Sequence, residues 1–387
     1  MNAKVFILFR RLRGIFNLAF FIAELMFTCI FVDLTTPHSC QFMERFDVII
    51  VGGGPAGLQC ARELSGSSLR VLLLEKKPGF GEKLCAGGLT RKGMDLLAIP
   101  DHVMEHRILR TSIHSRKRDA GSETREPALC TVDRKKLGAY QRSLLEGSRV
   151  EVRTGSQVVD VENGQVILKG GTRYGFTFLV GADGYASVVR RHLRLKTEKK
   201  LMGFQYTIPR VQQDPLLEIF LDARRFSSWY AWIFPHKSHM AVGFCCDPRR
   251  VDLQKIKSRF HDWLQELSID PGSSILETCP IGCDYRGVKF GRIYLAGEAA
   301  GMASGFTGEG IYQSLVCGQE VGRMILDPAY KPLQLQEALR YNRILERVLN
   351  LFRFAGPFRG ALQELLLILM NRDWLRKKIN RQFTAQS

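Results

Sequence analysis

Gly52, Gly54 and Gly57 stand at the G-x-G-x-x-G spacing inside DVIIVGGGPAGLQCAREL. A pyrophosphate needs that spacing: one glycine for a tight turn, one that lets the backbone close on the phosphates, and one for close helix-on-strand packing. Glu75 ends the apolar run LRVLLLE, where a carboxylate accepts hydrogen bonds from an adenosine ribose. Ahead of the glycines, DVIIV is continuously apolar, as expected of a parallel strand covered on both faces. Strand, glycine turn, helix, second strand and terminal acid together specify a dinucleotide cradle, with the helix N-terminus facing the phosphates. A second chemical signal is EKLCAGGLT at 82–90. Its Cys85, beside Gly87 and Gly88, is compatible with a metal ligand, a redox thiol, a nucleophile or a small packed side chain.

Two more segments read as strand-to-turn units. FLVGADGYASVVRR at 178–191 closes a buried strand on Asp183 and Gly184, and GRIYLAGEAAGMASGFTGEGIYQSLVCGQEVGRMI at 291–325 runs from strand through glycine-rich loop to long helix. Between about 201 and 279 the pattern shifts to short alternating strands. In YAWIF, the residues Tyr230, Trp232 and Phe234 recur with period two and share one strand face. DLQKIKSRFHDWLQEL at 252–267 has helical spacing and is expected to cover the other face of that sheet. After 331 the chain reads as helical, with Tyr341, Leu345, Val348 and Phe352 as a stripe broken by the Gly-Pro pair at 356–357.

These segments resemble the two-domain flavoproteins built like the aromatic hydroxylases, and more closely the geranylgeranyl reductase family. The resemblance implies FAD as cofactor, contacted by Gly52, Gly54, Gly57, Glu75, Asp183, Gly184, Gly297, Glu298, Thr307, Gly308 and Gly310. Glu298 departs from the family's usual Asp while keeping the charge. Arg134, in TVDRKKLGAYQ, is similar to the family's Asp-Arg helix start and is expected beside the cofactor's anionic side or as a solvated charge. EKLCAGGLT resembles the loop lying along the flavin. There Gly87 and Gly88 would let backbone approach the ring, and Cys85, polarised by a cation such as Lys83, would contact the flavin or deliver a proton. Ala86 interrupts the family's cysteine-glycine run. YAWIFP matches the family's Tyr-x-Trp-x-Phe-Pro segment, which implies a substrate cavity lined by Tyr230, Trp232 and Phe234.

Composition narrows the class without selecting the chemistry. The 387-residue chain carries a formal charge of +18, and residues 1–42 hold only four basic and two acidic side chains. The excess therefore belongs to the body, where it attracts anionic membranes, phosphorylated ligands or nucleic acid. No recognisable nucleic-acid-binding signature accompanies it, so no nucleic-acid partner is expected. Ten scattered cysteines fit reduced thiols in the cytoplasm. Cys245, Cys246, Cys279 and Cys283 lack the spacing of a zinc site, and no metal is expected. Residues 14–32 are apolar enough for a membrane span or signal segment, but Glu24 sits near their middle. An interfacial anchor, or translation starting at Met43, is the favoured expectation. The helix ALQELLLILM followed by basic residues between 372 and 381 fits an interfacial segment on the cytoplasmic face of a membrane, or a helix packed on the FAD domain with a solvated tail.

The expected architecture is α/β. A Rossmann-like FAD-binding domain spans 43–200 and 280–330, an inserted α+β substrate domain with a mostly antiparallel sheet spans 201–279, and a helical segment spans 331–387. An apolar extension spans 1–42. The resemblance implies an FAD-dependent oxidoreductase that saturates carbon-carbon double bonds of a prenyl lipid or other isoprenoid. The electron donor it implies is NADPH, NADH or reduced ferredoxin, with the choice among them left open; no second G-x-G-x-x-G with a terminal acid marks a separate nicotinamide-binding domain. The alternatives are an FAD monooxygenase acting on an apolar or aromatic ring, and a non-catalytic prenyl-binding protein.

Overall fold

The computed structural model describes residues 43–210 and 213–372. The apolar run at the glycine turn forms the strand Arg45–Val51, and Val48, Ile49 and Ile50 are fully buried. It lies inside an eight-stranded sheet, paired in parallel with Val71–Leu74 on one side and Arg173–Gly181 on the other. The path continues from Val71–Leu74 to Glu151–Arg153, and from Arg173–Gly181 to Ile293–Leu295 and Lys289–Phe290. All three cofactor-like turns therefore leave neighbouring strands of one sheet, which is how segments up to 250 residues apart in the chain come together.

Two helices seal one another beside this sheet. Pro55–Leu64 follows the glycine turn, and Ile311–Leu326 follows the glycine-rich loop. Their contact needs glycines: a Cβ on Gly318 would stand 2.1 Å from the Ala56 carbonyl oxygen, and one on Gly322 would stand 2.7 Å from the Glu63 Cβ. Close backbone approach replaces side-chain interdigitation along this seam.

The second sheet has seven strands, in the order Glu277–Ile281, Leu201–Ile208, Met240–Cys246, Ala231–Pro235, Leu216–Leu221, Arg110–Ser115, Asp119–Glu123. Its pairings are antiparallel except the parallel join of Leu216–Leu221 to Arg110–Ser115. The strands Arg110–Ser115 and Asp119–Glu123 join this sheet from within the stretch 43–200. RTSIHS has no apolar alternation, and its fit depends on partners distant in sequence. His114 stacks on Phe220 at 4.6 Å and its Nε2 lies 3.1 Å from Glu218 Oε1. A small third sheet joins Gly88–Thr90, Leu129–Val132 and Met104–Ile108.

Leu253–Glu266 packs on the second sheet as its spacing predicts, burying Ile256, Phe260, Trp263 and Leu264. Asp252 caps it by accepting from the Lys255 N–H at 3.1 Å. The C-terminal helices are Leu333–Phe354 and Arg359–Met370. Leu349 and Phe352 complete the second sheet's core, and Leu345 and Val348 pack against it. Among the described residues no helix is long and apolar enough to cross a membrane. The apolar segment 14–32 and the basic run beyond Arg372 lie outside the described residues.

Candidate active site

The three glycines of the first turn do three different things. Gly52 has φ +104° and a Cβ there would lie 2.4 Å from the Ala182 carbonyl oxygen, so this turn is locked against the Asp183 turn. A Cβ on Gly57 would lie 1.9 Å from the Gly52 oxygen, which fixes helix against strand. Gly54 has an ordinary φ of −78°, and its Cβ direction is open. It also caps the Pro55–Leu64 helix without any side-chain bond, so first-turn N–H groups face the open side. Glu75 Oε2 accepts from the Gly53 N–H at 2.6 Å and its Oε1 accepts from the Lys77 N–H at 2.9 Å. The acid is thereby oriented at the rim of the turn.

Asp183 follows the Arg173–Gly181 strand. Its Oδ2 accepts from the Val188 N–H at 2.6 Å, while Oδ1 is buried with no partner among the described residues. Burial raises the carboxyl pKa against the pull of these bonds. Gly184, at φ +76°, has open space where a Cβ would point. Gly297 sits on the first helix, since a Cβ there would meet the Ala56 Cβ at 2.8 Å. A buried clamp holds the Asp183 and Gly297 turns together. Arg190 donates to the Ala299 oxygen at 3.1 Å and pairs with Asp284 at 3.4 Å, both side chains about 5% exposed.

Glu298 is engaged within the protein. Its Oε1 pairs with Lys83 and its Oε2 accepts from the Gly282 N–H at 3.1 Å. Burial works against the Lys83 ammonium, yet Glu298 outweighs it and keeps the pKa above the ordinary lysine value. The Lys83 ammonium thus bonds to Glu298, and Cys85 Sγ accepts from the Gly87 N–H at 3.4 Å. Arg134 opens the helix Arg134–Ser143, capped by Asp133, and its Nε is buried without a partner among the described residues.

The glycines of the Cys85 loop make room for this chain's own side chains. A Cβ on Gly87 would lie 2.8 Å from His236 Cε1, and one on Gly88 would lie 2.7 Å from Phe234 Cε2. Gly87, at φ +78°, also meets the Val132 carbonyl oxygen, 2.6 Å from where its Cβ would be. His236 was not singled out from the sequence. Its only signal there is its place directly after YAWIFP. It is 3% exposed, and its Nε2–H donates to the Ala86 carbonyl at 3.0 Å. Burial, reinforced by the stacked His239 ring at 4.3 Å, lowers its pKa to about 4.

Trp232 and Phe234 lie on the strand Ala231–Pro235, and Tyr230 immediately precedes it. The Tyr230 and Trp232 rings lie 6.0 Å apart, and Trp232 crosses Gly243 of the next strand, where a Cβ would meet Cζ2 at 2.6 Å. The Tyr230 hydroxyl donates to the Thr307 carbonyl. That bond ties the aromatic face to the glycine-rich loop, which Ser304 Oγ braces by accepting from the Thr307 N–H at 3.1 Å. Gly308, at φ +64°, and Gly310 then lead into the Ile311–Leu326 helix, whose N-terminus has no side-chain cap. Among the described residues no group of three or more His, Cys, Asp or Glu is placed to hold a metal, and all eight described cysteines are free.

Two uncapped helix N-termini, an open glycine and the unpartnered atoms of Asp183 and Arg134 suit a ligand with anionic and hydroxyl groups beside an apolar face. The residues present therefore fit FAD. The FAD binding domain family matches residues 45–315. The chain is 28% identical over 332 residues to an uncharacterized protein of Methanosarcina barkeri, covering 82% of this chain and 84% of that one. It is 27% identical over 318 residues to a digeranylgeranylglycerophospholipid reductase of Methanocella arvoryzae, covering 73% and 77%. The solved structure of a geranylgeranyl bacteriochlorophyll reductase-like protein from Thermoplasma acidophilum has the same fold, with TM-score 0.72, 20% identity, and coverage of 86% of this chain and 92% of that one. A match over most of the chain, centred on the strands that bring the three turns together, means that this protein belongs to the FAD-binding-domain family of flavoprotein oxidoreductases.

Proposed function

We propose that the protein reduces carbon-carbon double bonds in the prenyl chain of a lipid or related isoprenoid. The observation that carries this reading is the aromatic face of Tyr230, Trp232 and Phe234, packed against Gly88 in the Cys85 loop and tied by Tyr230 to Thr307. An apolar wall touching two cofactor-like loops suits a long hydrocarbon substrate held over a flavin. The relative named as a digeranylgeranylglycerophospholipid reductase supports the same substrate class.

In this reading Gly52, Gly54 and Gly57 hold the pyrophosphate of FAD at the first helix N-terminus, and Glu75 holds the adenosine ribose. Asp183 and Gly184 meet the sugar-alcohol side, while Arg134 balances anionic charge. Gly297 and Glu298 shape the middle of the cofactor site, and Thr307, Gly308 and Gly310 present the long helix's N-terminus to the flavin ring. Reduced FAD supplies a hydride to one alkene carbon. The chain's own residues align the alkene against the aromatic wall and exclude water. Cys85 gives its thiol proton to the other carbon and recovers one from solvent, so each turnover adds two hydrogens. The electrons come from a separate donor.

The test is anaerobic. Reduce the flavin of the full chain, add a geranylgeranyl lipid, and follow flavin absorbance with mass analysis of the lipid. Reoxidation without oxygen, with a product heavier by two hydrogens per bond, is the expected result. A flavin that stays reduced until oxygen arrives would overturn the reading in favour of a monooxygenase. Cys85→Ser should slow alkene reduction while leaving flavin content unchanged.

A further inference from the structure

The corner joining the two C-terminal helices gathers exposed apolar side chains. Phe354 is 89% exposed and Phe358 75% exposed, one on each side of the Gly356–Phe358 turn. Leu351 precedes them, and Leu365, Ile368 and Leu369 follow on the second helix, all facing solvent. Single exposed apolar residues are ordinary, but two phenylalanines at one corner flanked by leucines mark an interaction site. The helix is anchored by its opposite face, where Leu349 and Phe352 are buried.

Behind the apolar corner comes positive charge. Arg340, Arg343 and Arg347 are exposed and recur at three- and four-residue spacing on the face that continues to Leu351 and Phe354. At 1.5 Å per residue, Arg347 lies about 10 Å behind Phe354 along the axis, comparable to the depth to which an interfacial helix buries its apolar face. The chain's charge of +18 favours the same class of partner. On the inner side an aromatic row runs from this helix toward the proposed substrate wall: Phe352 to Phe306 at 5.7 Å, Phe306 to Tyr230 at 6.4 Å, and Tyr230 to Trp232 at 6.0 Å.

We propose that this corner docks on an anionic lipid bilayer, with Phe354 and Phe358 in the acyl boundary, Arg347 at the lipid phosphates, and Arg343 and Arg340 one and two turns further out in the surface potential. Docking places the aromatic row next to the layer from which a lipid tail would enter. It does not depend on the prenyl-lipid reading: turnover of a detergent-dispersed substrate tests that reading, and vesicle binding tests this one.

The experiment uses the full chain with vesicles of phosphatidylcholine, with and without phosphatidylglycerol. Cosedimentation measures binding, and hydrogen exchange locates it. Binding that requires phosphatidylglycerol, with slowed exchange across 351–369, is the expected result. The double variant Phe354→Ser with Phe358→Ser should bind roughly tenfold more weakly or worse, given the area each ring would bury, at unchanged FAD content. Arg340→Gln, Arg343→Gln and Arg347→Gln together should abolish the preference for phosphatidylglycerol. The proposal is overturned if the chain binds neither vesicle, if it binds without protecting 351–369, or if the double variant binds like the parent. A dimer dispersed by the double variant, with no vesicle binding, would assign the corner to a second copy of the chain instead.

Discussion

Acid should loosen the Cys85 loop through His236, and the size of the effect follows from burial. The neutral imidazole fits: its Nε2–H donates to the Ala86 carbonyl, and Nδ1 has no hydrogen-bond partner among the described residues. Protonation would bury a charge and create a second donor with nothing to accept it, beside His239 and with Glu105 and His106 nearby. The pKa falls from an ordinary 6.5 to about 4. The unfolded chain therefore takes up the proton first as pH drops, so stability is retained above about pH 6.5 and lost toward pH 4. A span of roughly 2.5 units corresponds to about 3 kcal/mol, of which about 2 kcal/mol is lost by pH 5. Urea unfolding of the parent and of His236→Gln, at intervals from pH 7.5 to 4.5, reads this directly. Glutamine keeps a donor for Ala86 and removes the titration, so the variant should lose about 2 kcal/mol less than the parent between pH 7 and pH 5. Identical pH slopes for the two proteins would refute the reasoning.

The first-turn glycines should separate binding from folding. Gly54→Val has room for its side chain and an ordinary φ, so it should fold with a melting temperature near that of the FAD-stripped parent but purify without FAD. Gly57→Val drives its Cβ into the Gly52 oxygen and should fail to fold, as judged by far-UV circular dichroism. Arg190→Leu leaves Asp284 with Arg286 at 3.3 Å and the Glu198 N–H at 2.8 Å, so it should cost the charged hydrogen bond alone, about 1–3 kcal/mol in urea unfolding. Tyr230→Phe leaves the Thr307 carbonyl without its donor and should cost about 1–3 kcal/mol. Calorimetry that finds either variant as stable as the parent would remove the corresponding clamp.

Much of the site was legible from sequence because its signals are local. Gly52, Gly54, Gly57 and Glu75 fall within one strand-turn-helix-strand unit, where a few residues of spacing dictate backbone shape. The period-two aromatics of YAWIF likewise announce a shared face without reference to any partner. The same locality explains the helix 252–267, whose apolar spacing and Asp252 cap lie within the segment itself.

What the tertiary structure alone decided involves pairs far apart in the chain. Whether Lys83 serves Cys85 or Glu298 depends on a contact spanning 215 positions, and the ammonium goes to the carboxylate. Gly87, at φ +78°, is pressed by the Val132 carbonyl and by His236, and Gly88 by Phe234, partners about 45 to 150 residues later. The strands 110–123 carry too mixed a pattern to declare their sheet, and they join it because Leu216–Leu221 offers an edge and Glu218 a partner for His114. Local sequence determined which segments turn, extend or coil, because those choices are settled by steric and apolar patterns a few residues long. Only the folded chain decided which side chain meets which, because that is settled by sheet order and packing space.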